Sequence, residues 1–421
     1  MSLCFFVFPN NLAKRAELLR AVVGLGPFEA PAIVSMDIID IMKSISVIGI
    51  LSVSFLFAVF GCERGRSQQA GEPAAAPPML RESWDAYLER FIQQDGRVID
   101  HSAAGITTSE GQAYAMLRAV WIGDRQTFDK TFTWARNNLN SGIRSDNLWA
   151  WKWGKDAEGK WRVLDKAFAS DADQDAALAL ILASRVWKDS RYADHARAIL
   201  RDLWTSGTVE AAGQRYLLAG DSLCNGPICR INPSYYAPYA YRVFGAFDGN
   251  ADWSRLVDSS YHLLGIVSGF ADTGLPADWV QLNTSTGVIS RASEKDSSFS
   301  YDAFRVYWRI ELDRELFRDP RADQYLRESL PWIATEWKRR QTLPAVISPA
   351  GKGLAEYESL EMLSALMCPT HDEAMYRKVS AAYSRGIWAG KDSYYLQNWA
   401  WFGTAVYSGF LGPLELSKPK A

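Results

Sequence analysis

The sequence ASDADQDAALALILASRVW spans residues 169–187 and carries a clear helical signal. Its apolar side chains recur at helical spacing, at Leu178, Ile181, Leu182 and Val186. Ser170 precedes the first acidic residue of the stretch, and a serine in that place is typical of a helix N-cap. The stretch therefore predicts a helix that begins close to Asp171.

Comparable helix starts recur along the chain. They lie at Ser109 before Glu110, Ser170 before Asp171, Asn232 with Pro233, Ser300 shortly before Asp302, a glycine-rich turn before Glu356, and Ser393 before Tyr394. Strand-like alternation is scarce, and each interval leaves room for a return helix. The pattern predicts an all-α fold, an (α/α)6 barrel of six helical hairpins. If the six helices form its inner ring, their N-terminal ends meet at one rim.

The composition describes a globular protein with a substantial core. The chain has 421 residues, is 48% hydrophobic, and has 46 basic and 48 acidic residues for a formal charge of −2. This balance gives no positive electrostatic field that would attract nucleic acid or anionic lipid, so we predict no nucleic-acid partner. A neutral polymer is the more natural substrate. The 17 Trp, 18 Tyr and 19 Phe residues suit either a core or a sugar-stacking surface.

The N-terminal residues predict export. Lys43 precedes an apolar run over residues 44–61, and Cys62 follows it. Residues 42–62 are predicted to be a lipoprotein-like signal with Cys62 as the lipidation site; a cleaved secretion signal and a retained anchor are the alternatives. Each places the protein outside the cytoplasm, as a periplasmic or cell-surface lipoprotein or a secreted protein. Residues 1–41 are predicted to be an upstream, non-native extension, 63–78 a flexible tether, and 79–421 the folded catalytic domain.

Two cysteines lie close together in the predicted domain. Cys224 and Cys229 flank four residues and can close a small disulfide loop in an oxidising compartment. The chain has only four His and none lies beside this pair, so we predict no metal site and no cofactor.

Three acidic residues open predicted helices at the same rim: Glu110, Asp171 and Asp302. Acids in a first helical turn also complement the helix dipole in proteins without activity. Cleavage of a glycosidic bond, however, needs a protonated carboxyl and a second carboxylate. A general acid at a helix start needs its pKa raised by burial or by a nearby carboxylate, and Asp171 is the candidate neighbour of Glu110.

At these positions the sequence resembles the family-8 glycoside hydrolases, inverting enzymes that include bacterial endoglucanases, chitosanases, lichenases and xylan-cutting enzymes. The matching segments are residues 169–187, SEGQ at 109–112, WAWKW at 149–153, NPSY at 232–235, and YDA at 301–303 with Arg305. Ala176 departs from the family, which usually has Ile or Met there, and this difference concerns packing. The resemblance covers most of the domain from about Met79.

The resemblance implies a role for each acid. Glu110 matches the proton donor, Asp302 the base of the endoglucanase-like branch, and Asp171 the central acid that holds the distorted sugar. Inversion implies that the Glu110 and Asp302 carboxyls lie about 6.5 to 9.5 Å apart. Arg305 is expected to orient Asp302 or the attacking water, the alternative being a helix-surface charge pair.

Aromatic residues are the candidates for sugar binding. Trp149, Trp151 and Trp153 alternate with other residues, so in an extended segment they form a one-sided rail, or else a hydrophobic plug. Further rim candidates are Tyr235, Tyr394 and Tyr395, whereas Trp308, Trp332, Trp399 and Trp401 are assigned to the core.

The predicted function is endo-acting cleavage of a β-1,4-glucan, either cellulose-like or mixed-linkage, by a monomer that contacts a membrane only through its lipid. Xylan and chitosan are alternative substrates. A chitosan cleft needs extra acids, for which Asp173 and Asp175 are candidates, but we expect both to face the helix surface. A non-catalytic glycan-binding lipoprotein of an exopolysaccharide system is the alternative from another class.

Overall fold

Helices dominate the computed structural model, which describes residues 76–384 and 394–411. All of these residues fall within the compact unit Ala74–Ala421. The predicted extension, signal and Cys62 lie outside the described residues, as does the tether up to residue 75. Within the described ranges, no helix has the length and apolar character needed to cross a bilayer.

Thirteen α-helices occur in the described residues. In chain order they are α1 Pro78–Phe91, α2 Ser109–Ile122, α3 Arg125–Ala135, α4 Ser170–Val186, α5 Ser190–Ser206, α6 Pro238–Phe247, α7 Ser254–Ser268, α8 Arg305–Phe317, α9 Pro320–Ser329, α10 Pro331–Arg340, α11 Leu360–Thr370, α12 Glu373–Ser384 and α13 Tyr394–Tyr407. Short 3-10 helices span His101–Ala103 and Pro233–Tyr235, and a π-helix spans Arg136–Asn140.

Six of the helices form a closed inner ring. Helix α2 contacts α4, and the ring continues through α6, α8, α11 and α13 back to α2. The outer helices α3, α5, α7, α9 and α12 each pack on the inner helix that precedes them. Helix α1 packs on α13 and completes the sixth pair. This is the predicted (α/α)6 barrel.

Burial explains which helices are inside. In α2, every residue from Gly111 to Trp121 is buried, and in α13 every residue from Gln397 to Ala405 is buried. A helix that is buried on all sides must lie within the core rather than on its surface. The outer helix α5 buries only one face, through Tyr192, Ala196, Ile199, Leu200 and Leu203.

Nine short strands qualify the all-α prediction. They are β1 Thr107–Thr108, β2 Ala150–Lys155, β3 Trp161–Phe168, β4 Thr208–Ala211, β5 Gln214–Leu217, β6 Cys224–Asn225, β7 Ile228–Ile231, β8 Val280–Asn283 and β9 Ile289–Arg291. They form antiparallel sheets in the orders β1-β2-β3, β4-β5 and β6-β7-β8-β9. All lie in connections between helices, and most are too short to show a readable alternation.

The predicted helix starts agree with the structure at some positions and fail at others. Helices α2, α4 and α13 begin at Ser109, Ser170 and Tyr394. The predicted starts at Asp302 and Glu356 were wrong, because α8 begins at Arg305 and α11 at Leu360. At Pro233 only a 3-10 turn forms, and α6 starts at a second proline, Pro238.

Candidate active site

Arg305 is the centre of a buried ionic cluster. Its Nη1 atom donates to Oε2 of Glu110 at 2.9 Å and to Oδ2 of Asp171 at 3.0 Å, and its Nη2 atom donates to Oδ1 of Asp302. Only 1% of Arg305 is exposed. The helix-surface charge pair considered for this residue is therefore wrong, because one guanidinium joins all three predicted acids from distant parts of the chain.

Glu110 lies in the first turn of α2, with 19% of its side chain exposed. Oε1 accepts a hydrogen bond from the Tyr394 hydroxyl at 2.7 Å, and Oε2 accepts one from the Tyr114 hydroxyl at 3.2 Å. Burial raises the pKa of Glu110 to about 7; the Arg305 guanidinium opposes this rise, and the nearby Asp171 carboxylate adds to it. The group can therefore hold a proton near neutral pH, as a general acid must.

Close packing fixes the helix start that carries Glu110. Thr108 is the N-cap, and its hydroxyl accepts from the Gly111 amide at 3.0 Å. A Cβ atom at Gly111 would lie 3.3 Å from the Tyr394 ring and 3.3 Å from the Thr108 hydroxyl, so a larger residue would push against both. Gln112 accepts from the Val98 amide at 2.6 Å and so ties the preceding loop to the helix.

Asp171 lies in the first turn of α4 and is almost fully buried, with 3% exposed. Its Oδ1 atom accepts from the amide of Ala172 at 2.9 Å. Burial raises its pKa, which Arg305 opposes and Asp175 increases. Because Arg305 Nη1 binds both Asp171 and Glu110, the two carboxylates are close enough to repel each other.

Asp302 lies in the turn before α8 and not in its first helical turn, so the helix-dipole argument used for it does not hold. Its side chain is the most accessible of the three, with 30% exposed. Oδ2 accepts from the indole nitrogen of Trp279 at 2.9 Å, while Arg305 binds Oδ1. The site thus combines a buried carboxyl of raised pKa with a fixed carboxylate that water can reach.

A second ion pair lies one helical turn below the first. Arg309 of α8 binds Asp175 of α4 through Nη1 at 3.0 Å and Nη2 at 2.9 Å, and both residues are buried. Asp173 is also buried and accepts from the Trp149 amide at 2.9 Å. The prediction that Asp173 and Asp175 face the helix surface was wrong, and neither is accessible to a cationic substrate.

The predicted tryptophan rail is only partly present. Trp149 is buried, with 2% exposed, so its assignment to sugar stacking was wrong. The strand register shifts between residues 150 and 153, which breaks the alternation assumed for this segment. Trp151 remains partly exposed, and Trp153 stacks on Trp161 with ring centres 4.9 Å apart.

The three rim tyrosines have different surroundings. Tyr394 is buried and binds Glu110, so it contacts the acid instead of presenting a face to sugar. The Tyr395 hydroxyl donates to the backbone carbonyl of Tyr301 at 2.6 Å. The Tyr235 ring lies 5.2 Å from the Arg305 guanidinium carbon and is partly exposed.

Two other groups of reactive side chains lie apart from the acids. Cys224 and Cys229 form the predicted disulfide, which links β6 to β7. Among the described residues, Glu311, Glu315 and His371 lie close together and are of the residue types that bind metal ions. Arg314 donates to Glu311 at 2.6 Å and bonds to the His371 ring nitrogen at 2.8 Å, so a guanidinium already supplies the positive charge there.

Several residues of the site were missed in the sequence. Trp161 is 44% exposed and provides the outer face of the stack with Trp153. Trp279 and Asp278 contact the Asp302 segment, and Tyr114 contacts Glu110. Tyr114 follows Glu110 by one helical turn, which is the only local signal among these contacts.

The chain is similar to glucan-degrading enzymes in sequence and structure. Residues 66–406 match the family described as glycosyl hydrolases family 8. An endoglucanase of Escherichia coli K12 is 34% identical over 316 residues, covering 74% of this chain and 83% of that protein. The crystal structure of an endo-1,4-D-glucanase from Vibrio fischeri ES114 matches with a TM-score of 0.69 and 26% identity, covering 78% of this chain and 94% of that one. A family 8 endoglucanase structure from Klebsiella pneumoniae matches with a TM-score of 0.64 and 28% identity, covering 78% and 99%.

Proposed function

Because this chain belongs to glycosyl hydrolase family 8, we propose that it is an endo-acting β-1,4-glucanase in which Glu110 is the general acid, Asp302 the general base, and Asp171 the acid that holds the central sugar. The observation that carries the proposal is the convergence of these three carboxyls on the buried guanidinium of Arg305. Glycoside hydrolysis by two carboxyl groups requires one to be protonated and the other ionised.

The different surroundings of Glu110 and Asp302 support their assignment as acid and base. Burial and Asp171 raise the pKa of Glu110 to about 7, so this carboxyl can donate a proton to the leaving oxygen at neutral pH. Asp302 is more exposed, and an N–H group donates to each of its two oxygens, so its side chain is held in one orientation where a water molecule can reach it. A substrate in the site would exclude further water and favour the protonated form of Glu110 more strongly.

An inverting mechanism needs space for one water between base and sugar. Glu110 and Asp302 bind different nitrogens of one guanidinium, which limits the distance between the bound oxygens to less than about 8 Å. This limit overlaps the lower part of the range of about 6.5 to 9.5 Å that is typical of inverting glycosidases. Asp302 would take a proton from the water while Glu110 protonates the leaving oxygen.

Asp171 lies where it can act on the sugar and on the acid. Its Oδ2 atom shares Arg305 Nη1 with Glu110, and one of its oxygens also faces the start of α4. We assign it to a sugar hydroxyl next to the scissile bond, where a charged acceptor strengthens its hydrogen bond as the ring distorts. Its negative charge also adds to the rise that burial causes in the pKa of Glu110.

Partly exposed aromatic rings are proposed to bind the neighbouring glucose units. Trp151 and the Trp153–Trp161 stack lie on the sheet that pairs with Thr107 and Thr108, next to the helix start of Glu110. Tyr235 and Tyr395 lie beside Arg305 and the Asp302 turn. Flat apolar rings suit the faces of an uncharged sugar chain.

The alternative functions receive less support. A chitosan cleft needs accessible acids, whereas Asp173 and Asp175 are buried and paired with a backbone amide and Arg309. A non-catalytic role would not require three acids around one buried arginine. The relatives reported above are endoglucanases, so xylan is the less favoured substrate.

Reducing-sugar release from carboxymethylcellulose, lichenan, xylan and chitosan tests the substrate and the acid together. Wild type should act on the first two, and Glu110→Gln should lose activity by at least about 100-fold, as expected for removal of general acid catalysis. Glu373→Gln is the matched control, because Glu373 also lies in a first helical turn but on the outer helix α12. Wild type inactive on all four polymers, or full activity in Glu110→Gln, would reject the assignment.

Two further measurements test the mode of action. Endo cleavage lowers the viscosity of carboxymethylcellulose far faster than it releases reducing ends. NMR of the first anomer formed tests inversion, because a retained product would mean that a carboxylate acts as nucleophile.

We also propose that the protein is exported, monomeric, and attached to a membrane only through a lipid on Cys62. The apolar segment at residues 44–61 and the Cys224–Cys229 disulfide support export, since disulfides persist in oxidising compartments. Palmitate labelling of wild type and Cys62→Ala distinguishes a lipoprotein from a secreted enzyme, and sedimentation of the purified domain tests the monomer.

A further inference from the structure

Asp278 and Trp279 are two adjacent residues whose side chains both act on the Asp302 segment. The Trp279 indole donates to Oδ2 of Asp302 at 2.9 Å, on the opposite oxygen from the one that Arg305 binds. With one donor on each oxygen, the carboxylate cannot rotate about its terminal bond without losing a hydrogen bond.

The Asp278 carboxylate holds the backbone of the same turn. Its Oδ1 atom accepts from the amides of Ala303 at 2.8 Å, Ser300 at 3.1 Å and Asp302 at 3.2 Å, and its Oδ2 atom accepts from the Ser300 hydroxyl. Only 8% of Asp278 is exposed. A buried carboxylate with this many backbone donors fixes the conformation of the turn that precedes α8.

The pair itself is held by the sheet beside it. The amides of Asp278 and Trp279 donate to the carbonyls of Ser298 and Asp296 at 2.8 and 2.9 Å. Strand β8 begins directly after Trp279, and Val280 pairs with Ile231 of β7. The Trp279 ring also lies 4.8 Å from the Arg230 guanidinium carbon and 5.9 Å from the Tyr235 ring. Both side chains are therefore presented to Asp302 from a rigid support.

We propose that Asp278 and Trp279 are positioning residues that hold Asp302 in the orientation needed to activate the attacking water. This inference rests on the proposed role of Asp302 as the general base. The oxygen of a base must lie within about 2.6 to 3.2 Å of the oxygen that carries the proton it takes, and a misplacement of about 1 Å can cost about 100-fold in rate. Asp278 sets the main-chain position of the base, and Trp279 sets the direction of its carboxylate.

Trp279→Phe is the decisive variant, because it removes the indole N–H and keeps an aromatic ring. Its kcat on lichenan should fall by about 10- to 100-fold, whereas the Kd for cellotetraose, measured by calorimetry, should stay within about twofold of wild type. Trp332→Phe, on helix α10, is the matched control and should keep the wild-type kcat. Thermal unfolding of each variant checks that the folded fraction is the same.

Substitutions at Asp278 separate positioning from folding. Asp278→Ala removes every acceptor of the turn, and Asp278→Asn keeps one carbonyl oxygen, so kcat should fall more in the alanine variant. If Asp278→Ala does not fold, Trp279→Phe carries the test of the proposal. A folded Asp278→Ala with wild-type kcat would overturn the role of Asp278.

The outcomes distinguish this inference from the proposed function. If Asp302→Asn is inactive and Trp279→Phe retains at least half of the wild-type kcat, the positioning role is wrong and the base role stands. If the Kd for cellotetraose in Trp279→Phe weakens as much as kcat/KM falls, Trp279 binds sugar and the inference is also overturned. If Asp302→Asn keeps wild-type activity, the base assignment itself fails.

Discussion

Replacing Asp171 by Asn should move the alkaline limb of the pH–activity profile to lower pH. The amide keeps the shape of the side chain and can still accept a hydrogen bond from Arg305. The change removes a negative charge that raises the pKa of Glu110, while Arg305, which lowers this pKa, stays in place. Glu110 then loses its proton at lower pH, and the profile follows because the general acid must be protonated.

The size of the shift follows from the shared Arg305 nitrogen. The bound oxygens of Glu110 and Asp171 lie 2.9 and 3.0 Å from Nη1. Two donors on one trigonal nitrogen therefore place these oxygens about 5 Å apart. At an effective dielectric constant of about 20, two charges at this distance repel by about 3 kcal/mol, which corresponds to roughly two pH units. Since the carboxylates relax in the variant, we expect a shift of about one to two pH units.

The assay is the initial rate of lichenan hydrolysis, fitted for kcat/KM across the neutral pH range. The alkaline limb of the wild-type pH profile should have its midpoint near the Glu110 pKa of about 7. The position of the limb is the readout, because loss of a sugar contact lowers the rate at every pH without moving it. Asp194→Asn, at an exposed position on the outer helix α5, is the control. An unmoved limb, or one at higher pH, would refute the charge coupling.

Three further variants have defined expectations. Arg305→Lys should lower kcat by at least about 100-fold and lower the Tm, because a lysine ammonium cannot bind three carboxylates in a guanidinium geometry; an unchanged Tm would contradict this. Tyr394→Phe removes a hydrogen bond that lowers the pKa of Glu110, so the alkaline limb should move to higher pH, opposite to Asp171→Asn, and a downward shift would contradict the assignment. Burial raises the pKa of Glu311 from 4.5 to about 7, so the folded state disfavours the ionised form and wild type loses stability as pH rises between these values. Glu311→Gln should therefore gain Tm relative to wild type at pH 8 but not at pH 4.5, and equal differences at both would count against the buried charge.

The barrel was predictable because its evidence is local. Helical spacing of apolar residues in the stretch 169–187 and the serines before Glu110 and Asp171 mark two of the inner helices correctly. Glu110 and Asp171 could be placed at one rim because both lie in the first turn of their helices. Asp302 was assigned to the correct rim for a wrong reason, since its turn precedes the helix.

Contacts between helices that are distant in the sequence were not predictable, because they form only when the ring of helices closes. Arg305 was paired only with Asp302, its sequence neighbour, because the contacts with Glu110 and Asp171 exist only once the ring of helices is complete. The prediction of a tryptophan rail failed at Trp149 because a register shift in β2 breaks the alternation of side chains between the two faces of the strand. Asp278 has no local sequence signal, since its partners lie on the turn at residues 300–303.

The two arginine pairs between α4 and α8 limit how the barrel can deform. Asp171 and Asp175 lie one turn apart on α4, and their partners Arg305 and Arg309 lie one turn apart on α8. A slip of α8 by a single turn would leave one arginine and one aspartate without a partner in the core, at a cost of several kcal/mol. Intermediate slips would break both pairs. The two ion pairs therefore fix the position of α8 along α4. Mutations elsewhere on α8 should change the stability of the protein without shifting Asp171 and Asp302 by small steps.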